Sequence, residues 1–355
     1  MNTIRVDIDS ILSTISKNPS ISDLHLNCDE KSSYRINGEI FKDPNIPMLN
    51  NESMEIILKQ LLQNNVQNFD KFITDKECDF AYEGKDGTTY RVNAFFETGK
   101  IIVMRKINNI AKRLEEMMFS NQAETIKNNI LNQKKLFLVT GPTGSKSTSI
   151  VSMLEYINNT RTDNLITIED PIEFLFKPNK CTITQRQVGQ DSRSFKNALK
   201  SLFRQDPDIV FVGEIRDTET AETVLSIAES GHLVFSTLHT SSASETISRF
   251  LSFFPSNIQE SIANRLASIL LGIQSQMLVK MSNKESRIGV FEIMLNSTAI
   301  RNNLKKNDIS QVDTTIESST ASGMISMDQY AKKLIDKGAI NAKDVEWMLK
   351  KDQTN

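Results

Sequence analysis

Cysteine is scarce: three in 355 residues, at positions 28, 78 and 181, with no Cys-x-x-Cys among them. That excludes a four-cysteine zinc site and a disulfide framework, and it suits a reducing, cytosolic compartment. An excess of charge of one sign is missing too. With 42 Lys and Arg against 44 Asp and Glu, the formal charge is −2, so nothing global favours a polyanion and no nucleic-acid partner is expected. No apolar run approaches the roughly 20 residues that span a bilayer. The start, MNTIRVDIDS, lacks the apolar core of a signal peptide, so a soluble chain is expected. Internal repeats and low-complexity segments are absent. At about 100 to 200 residues per domain, what remains is two or three domains, each with chain enough for a sizeable core.

The N-terminal part reads as a mixed domain. A helix is expected from about Ile4 to Ser16, then short strands in SDLHLN, SYRING and EIFKD, and a helix in ESMEIILKQLLQ. In DFAYEGKDGTTYRVNAFFE and KIIVMRKI, Gly84 and Gly87 separate runs rich in Tyr, Phe, Val and Ile, which is the pattern of antiparallel hairpins. Around Asn108 to Lys112 the pattern becomes short and polar, and RLEEMMFSNQAETIKNNILN then reads as one helix. The expected division is an α+β domain over 1–108, a linker over 109–118 and a second domain over 119–355.

In the second domain, LFLVT, LITIE, DIVFVG and HLVFST alternate with helical stretches. Continuous apolarity marks strands covered on both faces, so the expected architecture is α/β, a parallel sheet flanked by helices. From about residue 256 the chain becomes mostly helical, with Ile262, Leu266, Ile269 and Leu270 in helical period, interrupted by a strand pair in IQSQMLVKM and RIGVFEIM. The tail, DQYAKKLIDKGAINAKDVEWMLKK, reads as two short helices separated at Gly338.

The sharpest local signal is LFLVTGPTGSKSTSIVSMLEYI: a strand, a glycine turn and a helix. Backbone amides of such a turn, with the helix N-terminus, form an anion nest; a Lys at the helix start reaches the outer phosphates and a Ser binds Mg²⁺. The segment Gly141, Pro142, Thr143, Gly144, Ser145, Lys146, Ser147, Thr148 is one residue shorter than G-x-x-x-x-G-K-[ST], because the glycine before the lysine is missing. A plain glycine turn with an exposed lysine is the other reading of so short a loop, and context decides between them.

In parallel sheets of this kind ligands sit at the carboxyl ends of the strands. LITIE ends at Glu169, IVFVG runs into Glu214, and LVFSTL runs into His239. Two carboxylates and an imidazole therefore gather on the edge that bears the glycine loop, where Mg²⁺ coordination and activation of a water are needed. His232 precedes its strand, so at about 3.3 Å per residue it should lie roughly 20 Å from His239; a structural or interface role is expected for it.

At this point the chain resembles the secretion-superfamily ATPases of the type IV pilus retraction class, the PilT-like motors of twitching motility. The resemblance rests on SDLHL at Ser22 to Leu26, RVNAF at Arg91 to Phe95, the loop at Gly141 and ITIEDPIEF at Ile166 to Phe174. It continues in RQDPDIVFVGEIRD at Arg204 to Asp217, GHLVFSTLHT at Gly231 to Thr240 and AIRN at Ala299 to Asn302. It implies a PAS-like N-terminal domain, a RecA-like P-loop ATPase domain with C-terminal helices, and a hexameric cytoplasmic ring that hydrolyses ATP with Mg²⁺ between subunits. Lack of zinc cysteines fits retraction motors rather than extension or secretion ATPases. By the same resemblance Lys146 holds phosphate, Ser147 and Glu214 (the Walker B acid) hold Mg²⁺, Glu169 is the catalytic base and His239 senses the γ-phosphate. Arg91 and Arg105 are the arginines brought to bound nucleotide by the N-terminal domain, and Arg204 belongs to the same charge network. The implied partners are an inner-membrane pilus platform protein and a second pilus motor ATPase.

Two departures from that pattern stand out. Ile150, Val151, Leu154 and Ile157 form a coherent apolar stripe when counted from Lys146, so the contraction falls in the loop and not in the helix. One lost amide, at about 1.5 to 3 kcal/mol per hydrogen bond to a charged group, lowers nucleotide affinity ten- to a hundredfold. The alternative reading is therefore a catalytically impaired ring subunit or scaffold. The second departure is Asn303, a polar residue where the family pattern has an apolar one. A RecA-like nucleic-acid motor is the third reading, disfavoured by the charge balance.

Overall fold

The structure, a computed structural model, describes residues 7–18, 21–36, 39–62, 66–107, 110–189, 191–283 and 286–349. The chain divides into two compact units, 1–110 and 111–355, with Glu173–Leu175 grouped with the first.

The first unit runs α1 (Ile8–Ser16), β1 (Ile21–Asn27), β2 (Ser33–Ile36), β3 (Glu39–Lys42), α2 (Asn51–Leu61), α3 (Val66–Asp75), β4 (Glu77–Glu83), β5 (Thr89–Phe96) and β6 (Lys100–Lys106). Asp7 caps α1 and Asn50 caps α2, each side chain accepting a backbone N–H of the first turn. The sheet order is β3-β2-β1-β6-β5-β4, antiparallel at each pairing. Strict alternation of exposed and buried residues along β4 leaves one face for the core, where Leu24, Leu26, Met54, Leu58, Phe72, Val92 and Met104 are buried. The hairpins expected around Gly84 and Gly87 are present, Gly87 taking φ 77°. Residues 4–6 of the expected first helix lie outside the described residues, and α3 has no counterpart in the sequence reading.

The second unit runs α4 (Leu114–Met117), α5 (Ser120–Asn132), β7 (Leu136–Thr140), α6 (Ser147–Thr160), β8 (Asn164–Glu169), β9 (Thr182–Gln187), α7 (Phe195–Leu202), β10 (Ile209–Val212), α8 (Thr218–Glu229) and β11 (Leu233–Leu238). It continues with α9 (Ala243–Ser252), α10 (Gln259–Ile269), β12 (Leu270–Lys280), β13 (Arg287–Leu295), α11 (Thr298–Lys305), α12 (Ser310–Ser318) and α13 (Met327–Asp336). The sheet order is β13-β12-β7-β11-β10-β8-β9; β12 through β9 pair in parallel and β13 closes one edge antiparallel. Strands β7, β10 and β11 are buried at every position, as continuous apolarity requires.

Two sequence readings change. The single helix expected over 113–132 is two, α4 and α5, broken where Phe119 takes extended dihedrals. Its N–H donates to the Tyr330 hydroxyl at 3.2 Å and its ring packs on Tyr330, so a distant tyrosine replaces the intrahelical partner. The last expected helix is instead a pair of 3₁₀ turns at Ala342–Asp344 and Glu346–Met348, after Gly338 turns the chain at φ 67°. Asn303, polar where the family pattern has an apolar residue, donates its side-chain amide to Thr315 Oγ1 of α12 at 3.0 Å.

Candidate active site

The glycine loop leaves β7 at Thr140 and enters α6 at Ser147. Of the expected stripe, Ile150, Leu154 and Ile157 are buried on α6 while Val151 is only half-buried and Met153 is buried beside them, so the helix keeps its register and the loop is short. Gly141 has φ 149°, and a Cβ there would overlap the Gln276 carbonyl oxygen and stand 2.7 Å from Ser145 Oγ. Gly144 has φ 78° with open space where a Cβ would be. Ser145 folds back on the turn, its N–H and Oγ both donating to the Pro142 carbonyl at 3.2 and 2.7 Å. Lys146 is the residue before the first turn of α6, and Ser149 and Ile150 donate their N–H groups to its carbonyl. The loop is thus a glycine-shaped hollow ending at a helix N-terminus, an arrangement suited to phosphate oxygens.

Lys146, buried, donates from Nζ to the Gly141 carbonyl at 3.0 Å and lies 3.0 Å from His239 Nδ1 and 3.2 Å from Nε2. His239 Nε2 stands 3.2 Å from Glu214 Oε1, and Glu214 Oε2 accepts from Arg216 at 3.1 Å. These groups come from the carboxyl ends of β7, β10 and β11, which are neighbours in the sheet. Burial pushes the Glu214 carboxyl up, but the Arg216 hydrogen bond and the nearby His239 outweigh it and hold the group below the usual glutamate value. Glu214 therefore stays ionised near neutrality.

Glu169 ends β8, one strand further along the edge, and is buried; its Oε1 accepts from Thr167 Oγ1 at 2.6 Å and from Gln185 Nε2 at 3.3 Å. Gly213 passes close by, its N–H donating to the Ile168 carbonyl at 2.8 Å. Ser147 and Thr148 open α6. Arg204 is not brought to this cluster. It is exposed just after α7 in the segment leading to the amino end of β10, where the Gln205 and Asp206 carbonyls accept from Asn164 at the start of β8. His232 is likewise outside it, its Nδ1 2.9 Å from Ser230 Oγ and its ring against Phe203, as the sequence placed it.

Arg91 and Arg105 belong to the first unit, where they face each other across β5 and β6. Like charges directly opposite are unfavourable, and Asp23, buried on β1 opposite Arg105, compensates: its Oδ1 accepts from Arg105 Nε at 2.7 Å. Burial raises the Asp23 carboxyl, but hydrogen bonds from Ser22 and Arg105 more than offset this and keep it low.

Sequence reasoning missed Arg216 and the polar residues beneath the loop, Ser149, Gln274 and Gln276. The sequence shows only that Gln274 and Gln276 are two apart in an expected strand and so share a face; that this face is buried comes from the structure.

Residues for a phosphate-bearing ligand and a divalent cation fit the donor set, with a Cβ-free cradle at Gly141, a lysine at the helix start, a hydroxyl at Ser147 and an ionised carboxylate at Glu214. A parallel sheet with this loop and these strand ends defines a RecA-like P-loop domain, here preceded by an antiparallel α+β unit. The chain belongs to the type II/IV secretion system protein family, whose model matches residues 3–343. It is 37% identical over 339 residues to the type IV pilus retraction ATPase PilT of Pseudomonas aeruginosa, covering 95% of this chain and 96% of that one. A twitching motility protein of Neisseria gonorrhoeae is 37% identical over 310 residues, covering 86% and 81%. The solved structure of a pilus retraction motor PilT with bound ADP superposes with a TM-score of 0.89 at 34% identity over 98% of each chain. Among the described residues no helix is long and apolar enough to cross a membrane.

Proposed function

We propose that this protein is an ATP-driven motor for type IV pilus retraction and twitching motility, acting as a cytoplasmic hexamer at the base of the pilus machine. The observation that carries the reading is the meeting of Lys146, His239 and Glu214 at the carboxyl edge of the sheet, where His239 lies within hydrogen-bond reach of both the lysine and the carboxylate, despite the shortened loop. Retention of the relatives' architecture over nearly the whole length supports it.

In this reading the loop amides and Lys146 bind the phosphates of ATP. Lys146 sits on His239 and the Gly141 carbonyl, so it must give up one or both partners to reach a phosphate. His239 then lies where the γ-phosphate is sensed, and through Glu214 it reports to Arg216. Glu169, whose carboxylate accepts from Thr167 and Gln185, serves in this reading as the base that takes the proton of the attacking water. Ser147 and Glu214 would hold Mg²⁺, which when bound supplies charge neutralisation on the phosphoryl oxygens. Arg91 and Arg105 act on nucleotide bound between subunits, and Arg204, exposed away from the cluster, serves the charge network across that interface. The platform protein at the membrane and a second motor ATPase are the partners.

The short loop favours a second reading, a ring subunit or scaffold that binds partners without robust hydrolysis. Deleting the gene and complementing with the parent or with Lys146→Ala tests the first reading: only the parent should restore twitching, whereas equal rescue by both supports the scaffold. Native mass spectrometry with MgADP should show a hexamer; a monomer over a wide concentration range counts against the ring.

A further inference from the structure

Strand β12 runs past the end of β7, pairing Ser275 with Thr140, so Gln276 lies beside the first residues of the glycine loop. Gln274 and Gln276 are both fully enclosed, at 0% and 2% exposure. The Gln276 amide nitrogen donates to the Ser145 carbonyl. Its Oε1 accepts from Ser149 Oγ on α6 at 2.7 Å and from Gln274 Nε2 at 2.6 Å. Gln274 Oε1 has no hydrogen-bond partner among the described residues. The network is self-consistent in one orientation only. Flipping Gln276 would set its oxygen against the Ser145 carbonyl, two acceptors face to face. Burying an unpartnered acceptor is unfavourable, so a strand selected for packing alone would carry an apolar residue at 274.

The consequence for the loop follows from peptide geometry. In a trans peptide the carbonyl and the following N–H point in opposite directions. With the Ser145 carbonyl turned into the core onto Gln276, the Lys146 N–H is turned the other way, away from Gln276. That amide stands next to the position where the loop is one residue short. The Gln276 backbone carbonyl meanwhile occupies the space that a Gly141 side chain would need, so this residue touches both ends of the loop.

We propose that Gln276, oriented by Gln274 and Ser149, is a positioning residue for the contracted loop: it fixes the Ser145–Lys146 peptide so that its N–H faces the nucleotide phosphates. The inference rests on the nucleotide-site reading above and assigns to these residues no contact with the ligand.

The test is calorimetric titration of the full chain with MgADP at pH 8 and pH 5.5, for the parent, Lys146→Ala, Gln276→Leu and Gln276→Glu, each with a ligand-free melt. The parent should bind and Lys146→Ala should lose at least tenfold. Gln276→Leu, with no donor, should bind about tenfold more weakly at both pH values, or about 1.4 kcal/mol. Gln276→Glu should show that loss at pH 8 and recover to within about threefold of the parent at pH 5.5, because a protonated carboxyl again donates to the Ser145 carbonyl. The ligand-free melts at the two pH values separate this recovery from relief of a buried charge: the brace predicts the binding loss at pH 8 in a variant that is still folded at the titration temperature. If Gln276→Leu fails to fold, Ser149→Ala should still weaken binding about threefold. Both Gln276 variants binding within twofold of the parent, or a Gln276→Glu loss equal at the two pH values, overturns the brace while the nucleotide site stands. A parent that binds no MgADP overturns both.

Discussion

Replacing Gly141 by Ala asks whether the contracted loop still works as a phosphate cradle. The position has φ 149°, and the new methyl would overlap a backbone carbonyl, that of Gln276, and crowd Ser145 Oγ at 2.7 Å. Strained backbone of this kind costs roughly 1–3 kcal/mol. Relief by moving the carbonyl is blocked, since β12 pairs with β7 on one side and β13 on the other, with Gln276 opposite Phe291. Gly144 is the internal control: φ is 78° but nothing lies within 4 Å of an added Cβ, so Gly144→Ala pays the backbone term alone, about 1 kcal/mol. Titration with MgADP should therefore show about a fivefold weakening for Gly144→Ala and at least about a hundredfold for Gly141→Ala, from roughly 3 kcal/mol of combined strain and overlap. Circular dichroism of both variants should match the parent, because the damage is confined to the loop. Gly141→Ala binding within threefold of the parent, in a folded protein, would refute the view that the loop hollow is the phosphate site.

Inserting Gly between Ser145 and Lys146 restores the G-x-x-x-x-G-K-S spacing and should raise the ATPase rate at least tenfold, about 1.4 kcal/mol of barrier; an inserted variant no faster than the parent shows that the short loop does not limit turnover. Glu214→Gln should slow phosphate release at least tenfold yet leave the MgADP dissociation constant within about threefold, since charge at the reacting centre acts on the transition state; a matched loss of binding and rate would remove Glu214 from that role. Because the Glu214 carboxyl is held below its ordinary value by Arg216 and His239, its ion pairs stabilise the fold above about pH 4.5 and are lost as pH falls through the lowered folded value. The drop in melting temperature between pH 7 and pH 3 should thus be smaller in Glu214→Gln than in the parent, and an unchanged drop contradicts the assignment. His239→Ala should reduce turnover at least tenfold and His232→Ala less than twofold, measured side by side; the reverse order contradicts the placement of His239 at the phosphate edge.

What was legible in the sequence follows from which residues carry their own geometry. The four central parallel strands were readable because burial on both faces forces continuous apolar runs, and that in turn located Glu169, Glu214 and His239 as residues that follow strand ends. Strand β9 was not readable: it pairs only with β8, is half exposed, and carries the polar sequence TITQRQ. The break at Phe119 depends on Tyr330, far along the chain, which no local pattern discloses. The loop contraction was visible as a missing glycine, whereas Gln274 and Gln276 look like surface residues until β12 is seen to be buried on both sides. Arg204 was placed by motif, and it lies where a strand begins, away from the cluster at the strand ends.

The measurement closest to the central claim is phosphate release from the purified chain supplied with MgATP, run beside Lys146→Ala. The account predicts saturable turnover by the parent that falls at least a hundredfold in Lys146→Ala, as expected if that lysine holds the phosphates. A parent that releases phosphate no faster than Lys146→Ala under saturating MgATP would contradict it.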